Sequence, residues 1–252
     1  MRMPLFVPPV ARCFHNCSSN IDKIIQLSNE YKCILIQNNN NKGIAYALNQ
    51  IMKIANFKHY HWAITLDQDT ICSTDLINGL VNYCRSDVGI VAPSIKDRNV
   101  STNKKIVSNK KAVVKNWVIS SASLTNVDAW ISVGGFDEKL FIDGVDIDFG
   151  YNLKIHGYKV IQVQNEVISH AVGEIHEHMI GPIVVRTKNH SAFRKYYIVR
   201  NIIILEKKYH YEGIIKSALK ILKQLLLVVI FEKHKKTKLL AMIKGIKDGV
   251  KC

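Results

Sequence analysis

The sequence predicts an α/β fold with a mainly parallel sheet and a C-terminal helical, basic tail. Three observations predict it. Between Ser19 and Thr125, short apolar runs alternate with stretches whose apolar residues recur at helical spacing. With 252 residues, 48% of them hydrophobic, the chain can bury a sizeable core. Its basicity is concentrated at one end: from Arg194 to Cys252 there are 15 Lys+Arg against 4 Asp+Glu, which is +11 of the total +15.

The elements follow in order. Pro4, Pro8 and Pro9 break regular structure near the start, and no strand is expected in the first sixteen residues. Ile21, Ile24, Ile25 and Leu27 mark a short helix, and Cys33 to Ile36 a buried strand. Asn38 to Lys42 is a polar loop, and Gly43 opens a helix carrying Ile44, Ala47, Leu48, Ile51, Met52 and Ala55. Trp62 to Leu66 is a second apolar strand, Asp75 to Tyr83 a helix, and Gly89 to Ala92 a strand stopped by Pro93. Residues 94–112 are polar and read as a surface loop, after which Trp117 to Thr125 resumes the sheet. The catalytic-type domain is therefore expected over residues 1–190 and the helical tail over 191–252.

Asp67-Gln68-Asp69 follows the second apolar strand directly. Ligands of a parallel α/β sheet bind at the carboxyl ends of its strands, where two carboxylates one residue apart can face a cleft together. Such hard oxygen ligands suit Mg²⁺ or Mn²⁺ and, through them, a diphosphate. A bare D-x-D is more often a solvated turn. The second acidic group, Asp143, Asp146 and Asp148, lies among Phe141, Ile142, Val145, Ile147 and Phe149, behind Gly134-Gly135-Phe136-Asp137-Glu138. Apolar neighbours raise a carboxylate's proton affinity, as a general base requires. Asp143 and Asp146 would share a face of a helical turn, although one of the three acids can serve as a helix cap instead.

In order, Asn41-Lys42-Gly43-Ile44-Ala45-Tyr46-Ala47-Leu48-Asn49, Leu66-Asp67-Gln68-Asp69, Val133-Gly134-Gly135-Phe136-Asp137, Phe141-Ile142-Asp143 with Val145-Asp146, and His170 with Gly173 resemble the family-2 glycosyltransferases. The subgroup they resemble is the bacterial rhamnosyltransferases of surface-polysaccharide assembly. Arg194-Lys195-Tyr196-Tyr197, Arg200-Asn201, Lys244-Gly245-Ile246 and Asp248-Gly249 are similar to that subgroup's later segments. The resemblance implies a GT-A (Rossmann-like) fold and an inverting transfer of a sugar, such as rhamnose, from a nucleoside-diphosphate sugar to a lipid-linked or oligosaccharide acceptor. It implies a divalent metal, Mg or Mn, held by Asp69 with Asp67 and His170. It further implies donor contacts around Asn41, Gly43, Asn49, Asp67 and Gln68, and Asp146 as the catalytic base.

Two departures stand out. Phe14 to Ser19 occupies the place of the family's second strand, with His15 where an acid is expected, and the residues before it do not supply the first strand. The sequence thus predicts an N-terminally incomplete nucleotide half. It also leaves open an inactive remnant that retains only membrane or partner binding. Asn152 replaces the arginine usual after the acidic group.

Lys216, Lys220 and Lys223 share a face in the tail, and Leu225 to Phe231 is a seven-residue apolar run against the roughly 20 that span a bilayer. A helix lying on an anionic membrane surface fits this pattern, with Lys233, Lys235, Lys236 and Lys238 reaching head groups. A helix packed on the catalytic domain is the competing account. Nucleic acid is not an expected partner, because no binding motif or aromatic-interleaved basic strand accompanies the charge. Six scattered cysteines without a C-x-x-C pair and no signal-peptide pattern predict a cytoplasmic protein, and the basic tail with the resemblance implies a peripheral position at the inner face of the membrane. His176 and His178 alone are a weak zinc signal.

Overall fold

A computed structural model describes residues 12–15, 21–67, 70–97, 111–170, 176–181 and 183–252. Among the described residues the strands are β1 (Arg12–His15), β2 (Leu35–Asn38), β3 (Trp62–Thr65), β4 (Val88–Asp97), β5 (Ala112–Lys115), β6 (Ser123–Asn126), β7 (Lys159–His170), β8 (His176–Ile180) and β9 (Ile183–Thr187). The helices are α1 (Ile21–Glu30), α2 (Ile44–Phe57), α3 (Leu76–Val81), α4 (Val127–Ser132), α5 (Val145–Ile155), α6 (Ala192–Tyr209), α7 (Ile214–Phe231) and α8 (Lys235–Lys251), with a 3-10 turn at Glu138–Leu140.

The central sheet has the order β3-β6-β4-β7-β5. β4 and β7 are parallel, whereas β6 is antiparallel to β3 and β4, and β5 is antiparallel to β7. Strands β3, β4 and β7 therefore run one way, so the carboxyl end of β3 opens on the same side of the sheet as theirs. Alternation along the central strands splits the core. Ile90, Ala92 and Val160 face α2, α4 and α5, while Val91, Ile161 and Val163 face α3.

Two expectations are corrected. Although no strand was expected before residue 17, β1 forms and pairs in parallel with β2, from Arg12↔Leu35 to His15↔Asn38. The proline pattern near the start does not reach Arg12 to His15, which hold no proline. Pro93 likewise does not end β4. The strand runs on to Asp97, with a register shift between Pro93 and Ser94 where β7 advances from Val163 to Val167. A bulge there absorbs the N–H that proline lacks. Residues 98–110 of the expected surface loop lie outside the described residues.

Helices α6, α7 and α8 make the tail. Gly245 and Gly249, four apart on α8, let it approach the α6 backbone at Tyr196 and Arg200, where a Cβ on Gly249 would lie 2.8 Å from the Arg200 carbonyl oxygen. Tyr196 donates to Asp248 at 2.8 Å across the same contact. Between the three helices sits a buried ionic group: Lys195 Nζ lies 2.6 Å from one Glu232 oxygen and Lys238 Nζ 2.8 Å from the other. Lys238 therefore does not reach a head group as the charge pattern predicted. It is buried and also donates to Asn189 at 2.7 Å.

Candidate active site

Asp67, the first residue of the acidic motif, lies two residues beyond the end of β3. Asp67 is exposed at the strand end, and its backbone N–H donates to Ser121 Oγ at 3.0 Å. Thr70 Oγ1 lies 2.5 Å from the same hydroxyl, and the Thr65 hydroxyl donates to the Ser120 carbonyl at 2.6 Å. The Ser120–Ser121 turn thus ties the end of β3 to the segment that enters β6. Gln68 and Asp69 lie outside the described residues. His170 ends β7, where only its backbone is described. Ile71 pairs with Ser169 through two backbone hydrogen bonds of 3.1 and 3.2 Å, so the chain leaving the acidic motif runs one residue from His170.

Asp146 faces this strand end from the first turn of α5, half-buried. Burial raises its pKa to about 6; hydrogen bonds from Ser120 oppose the rise, and the charges of Asp67 and Asp143 add to it. The two acidic motifs, 79 residues apart in sequence, therefore share one electrostatic site. Ser120 is the partner that sequence reading missed. A serine in a turn carries no distinguishing signal.

The other two acids of the cluster do different work. Asp143 lies before the helix at φ 61°, so the shared helical face predicted for it and Asp146 does not form, and the N-cap is Gly144 without a side-chain capping bond. Its carboxylate accepts a forked pair from Arg194, Nη2 at 2.9 Å and Nε at 3.0 Å. Asp148 is 1% exposed and receives Lys208 at 2.7 Å and the Tyr209 hydroxyl at 2.9 Å. Burial raises its pKa, against the opposing lysine contact. Of the three, Asp146 is the one whose proton affinity the Asp67 charge raises. Where an arginine was expected, Asn152 donates to the Val133 carbonyl at 2.9 Å. Lys208 brings a cation to the same hollow, which Asp137, Asp148 and Asn152 also line.

Gly43 and Asn49 shape the site from α2. Gly43 has φ 87°, and a Cβ there would strike the Phe141 carbonyl oxygen and lie 2.8 Å from its Cα. This close approach lets Ile44 N–H donate to the Phe141 carbonyl at 2.7 Å, while the Asn41 side chain accepts from Gly43 N–H at 3.0 Å. Asn49, expected among the donor contacts, is buried, and all four of its amide bonds are made internally. Its nitrogen donates to Phe136 O and Glu138 Oε1, and its oxygen accepts from Trp130 Nε1 and Phe136 N–H. It fixes the Gly135–Glu138 turn. Gly43→Ala is expected to cost at least about 2 kcal/mol, from positive φ and the clash with backbone. A thermal midpoint within a degree of the parent would contradict that geometry.

Among the described residues no group of three or more His, Cys, Asp or Glu is placed to hold a metal. His178 is occupied structurally, 2.9 Å from Thr187 Oγ1 and stacked on Phe231.

Residues 16–137 match the model of the family described as Glycosyl transferase family 2. A dTDP-rhamnosyl transferase, RfbF, of Shigella flexneri is 28% identical over 200 residues, covering 73% of this chain and 67% of the relative. Among solved structures, S. aureus TarS 1–349 aligns with a TM-score of 0.62 at 12% identity, over 96% of this chain and 71% of that one. GalNAc-T7, solved with UDP, GalNAc and Mn²⁺, aligns with a TM-score of 0.55 at 14% identity, over 79% of this chain. The chain spans 41% of the GalNAc-T7 chain and 62% of TarS 1–349 in its UDP complex. By these matches the chain is similar to family-2 glycosyltransferases over residues 16–137 and to a rhamnosyl transferase over most of its length, and its fold is GT-A-like.

Proposed function

We propose that the protein transfers a sugar, rhamnose first among the candidates, from a nucleoside-diphosphate donor to a lipid-linked or polysaccharide acceptor, with inversion. The observation that carries this reading is the meeting of Asp146 with Asp67 at the carboxyl end of β3, in surroundings that raise the proton affinity of Asp146. Asp146 takes the acceptor hydroxyl proton as that oxygen attacks the anomeric carbon. Ser120 orients the carboxylate, and Gly43 brings the Phe141 turn against α2 so that α5 starts at the site.

The donor set suits a divalent ion. Asp67 is a hard oxygen ligand, and its repulsion of Asp146 is the kind of charge conflict a cation relieves. Asp67 would hold the ion together with Asp69 and His170, and the ion would stabilise negative charge on the departing diphosphate. The similarity to a dTDP-rhamnosyl transferase directs the first assay. Nucleoside diphosphate released from dTDP-rhamnose, UDP-sugars and GDP-sugars is measured with Mn²⁺ and an acceptor-lipid extract. Release from one donor is the expected result. No release from any donor, with the protein folded, would remove the transferase reading in favour of a non-catalytic remnant.

We also place the tail on an anionic membrane surface. No described helix is long and apolar enough to cross a membrane. On α7, however, Ile215, Leu219, Leu222, Leu226 and Val229 form one exposed stripe, with Lys216, Lys220 and Lys223 on the adjoining face. Leu222→Glu with Leu226→Glu should weaken sedimentation with phosphatidylglycerol vesicles by roughly tenfold or more. Unchanged sedimentation would detach the membrane from the account.

A further inference from the structure

We propose that Arg194, Arg200 and Asn201 of α6 are positioning residues: they clamp the strained turn before α5 and so hold Asp146 where it works. The inference rests on the reading of Asp146 as the base and assigns a role to a motif that reading leaves unused.

The turn is costly on its own. Phe141 has φ 64° and ψ −63°, and Ile142 N–H donates to the Leu140 carbonyl at 2.7 Å. Together these make a γ-turn of the rare, strained kind. Two residues on, Asp143 is also at positive φ, 61°. Such conformations persist only when the surroundings over-determine them. A turn free to relax would carry the start of α5, and Asp146 with it, away from Asp67.

The surroundings are one stripe of α6. Asn201, 1% exposed, directs its amide nitrogen at three carbonyls of the turn: Leu140 at 2.9 Å, Ile142 at 2.8 Å and Asp143 at 2.7 Å. Arg200 Nε fixes that amide by donating to its oxygen at 2.9 Å. The other end of the guanidinium donates to the Lys139 carbonyl and to Leu140 at 3.3 Å. One and two turns earlier, Tyr197 stacks on Phe141 with ring centres 4.9 Å apart, and Arg194 holds Asp143 through its fork. Leu205, a turn later, would meet a Cβ on Gly144 at 3.0 Å. Residues 194, 197, 201 and 205 are spaced by three or four and lie on one face. The helix is seated from behind by Gly245 and Gly249 of α8. Asparagine has the length that brings its amide nitrogen within hydrogen-bond reach of all three carbonyls, which share its two N–H donors.

The experiment uses the full chain and Asn201→Ala. Misplacing a catalytic group by an ångström costs up to about a hundredfold in rate, so kcat should fall roughly 10- to 100-fold while the donor KM stays within about threefold. Hydrogen exchange should quicken in residues 139–146 and stay unchanged in the central sheet. Should Asn201→Ala not fold, Arg194→Lys, which keeps the charge but loses the fork, should lower kcat by roughly tenfold with the donor KM held. A folded Asn201→Ala with parental kcat, or kcat and KM failing together with exchange rising throughout, overturns the clamp. If the unmodified chain turns over no nucleotide sugar, the transferase reading fails, and the exchange pattern still decides the clamp on its own.

Discussion

Asp146→Asn is expected to lower sugar transfer by roughly 100- to 10,000-fold, the range a general base contributes, and at the same time to make the protein more stable near neutral pH. Both effects have one cause. In the folded protein burial, opposed by Ser120, and then the charges of Asp67 and Asp143 lift the Asp146 pKa from 3.8 to about 6. The folded state therefore holds this proton more tightly than the unfolded chain. The resulting destabilisation is absent below the ordinary aspartate pKa, grows between there and about 6, and is complete above it. It corresponds to about 3 kcal/mol at pH 7.5, which the neutral asparagine removes. A charge held against its own stability is a common signature of a working site. The same ionisation sets the rate: kcat/KM should rise with pH as Asp146 loses its proton, at a lower pH with the metal bound than without it. An Asp146→Asn protein that keeps parental activity, or that melts earlier at pH 7.5, contradicts the assignment.

The second large effect lies in the tail. Glu232→Ala should destabilise the protein by about 3–5 kcal/mol, because it leaves Lys195 and Lys238 buried without their counter-charge. Both lysines and Glu232 are at most 4% exposed. A loss of that size should lower Tm by roughly 10 °C in a chain of this length. Burial pushes the Glu232 carboxyl up, but the hydrogen bonds and charges of Lys195 and Lys238 outweigh it and hold the pKa below the usual glutamate range. Its stabilisation is thus present above the ordinary glutamate pKa and is lost as pH falls through the lowered folded value. Replacing all three residues with apolar ones of similar volume should restore most of the loss. A Glu232→Ala protein as stable as the parent would show that the α6–α7–α8 contact is not closed by this group.

Much of the site was legible in the sequence because its parts are local. An apolar run ending in Asp67 marks a strand end, and three acids among aromatic and branched residues mark a carboxylate of raised proton affinity. What those acids do separately was not legible. Asp143 and Asp148 look like Asp146 in sequence, but their partners, Arg194 and Lys208, come from a helix some 50 to 60 residues away. Spacing arguments see only i to i+4 neighbours. The internal role of Asn49 was hidden for the same reason: a polar residue in a ligand-binding motif reads as a ligand contact, and its four internal bonds reach Trp130, Phe136 and Glu138, over 80 residues on. Lys238 read as a surface charge because a buried lysine is rare without a partner, and its partner Glu232 is six residues away, off the helical face that pattern reading examines. The short β1 escaped notice because four residues paired only to β2 carry little periodicity.

The central claim is that the end of β3 and the start of α5 form a metal-assisted site for a nucleoside diphosphate. Calorimetric titration of dTDP into the full chain, with and without Mn²⁺, tests it most directly. The account predicts binding that strengthens at least roughly tenfold with Mn²⁺ and loses that gain in Asp67→Ala, since a single carboxylate ligand contributes a good part of a hard cation's affinity. Binding that is indifferent to both the metal and Asp67, or no binding at all, would contradict it.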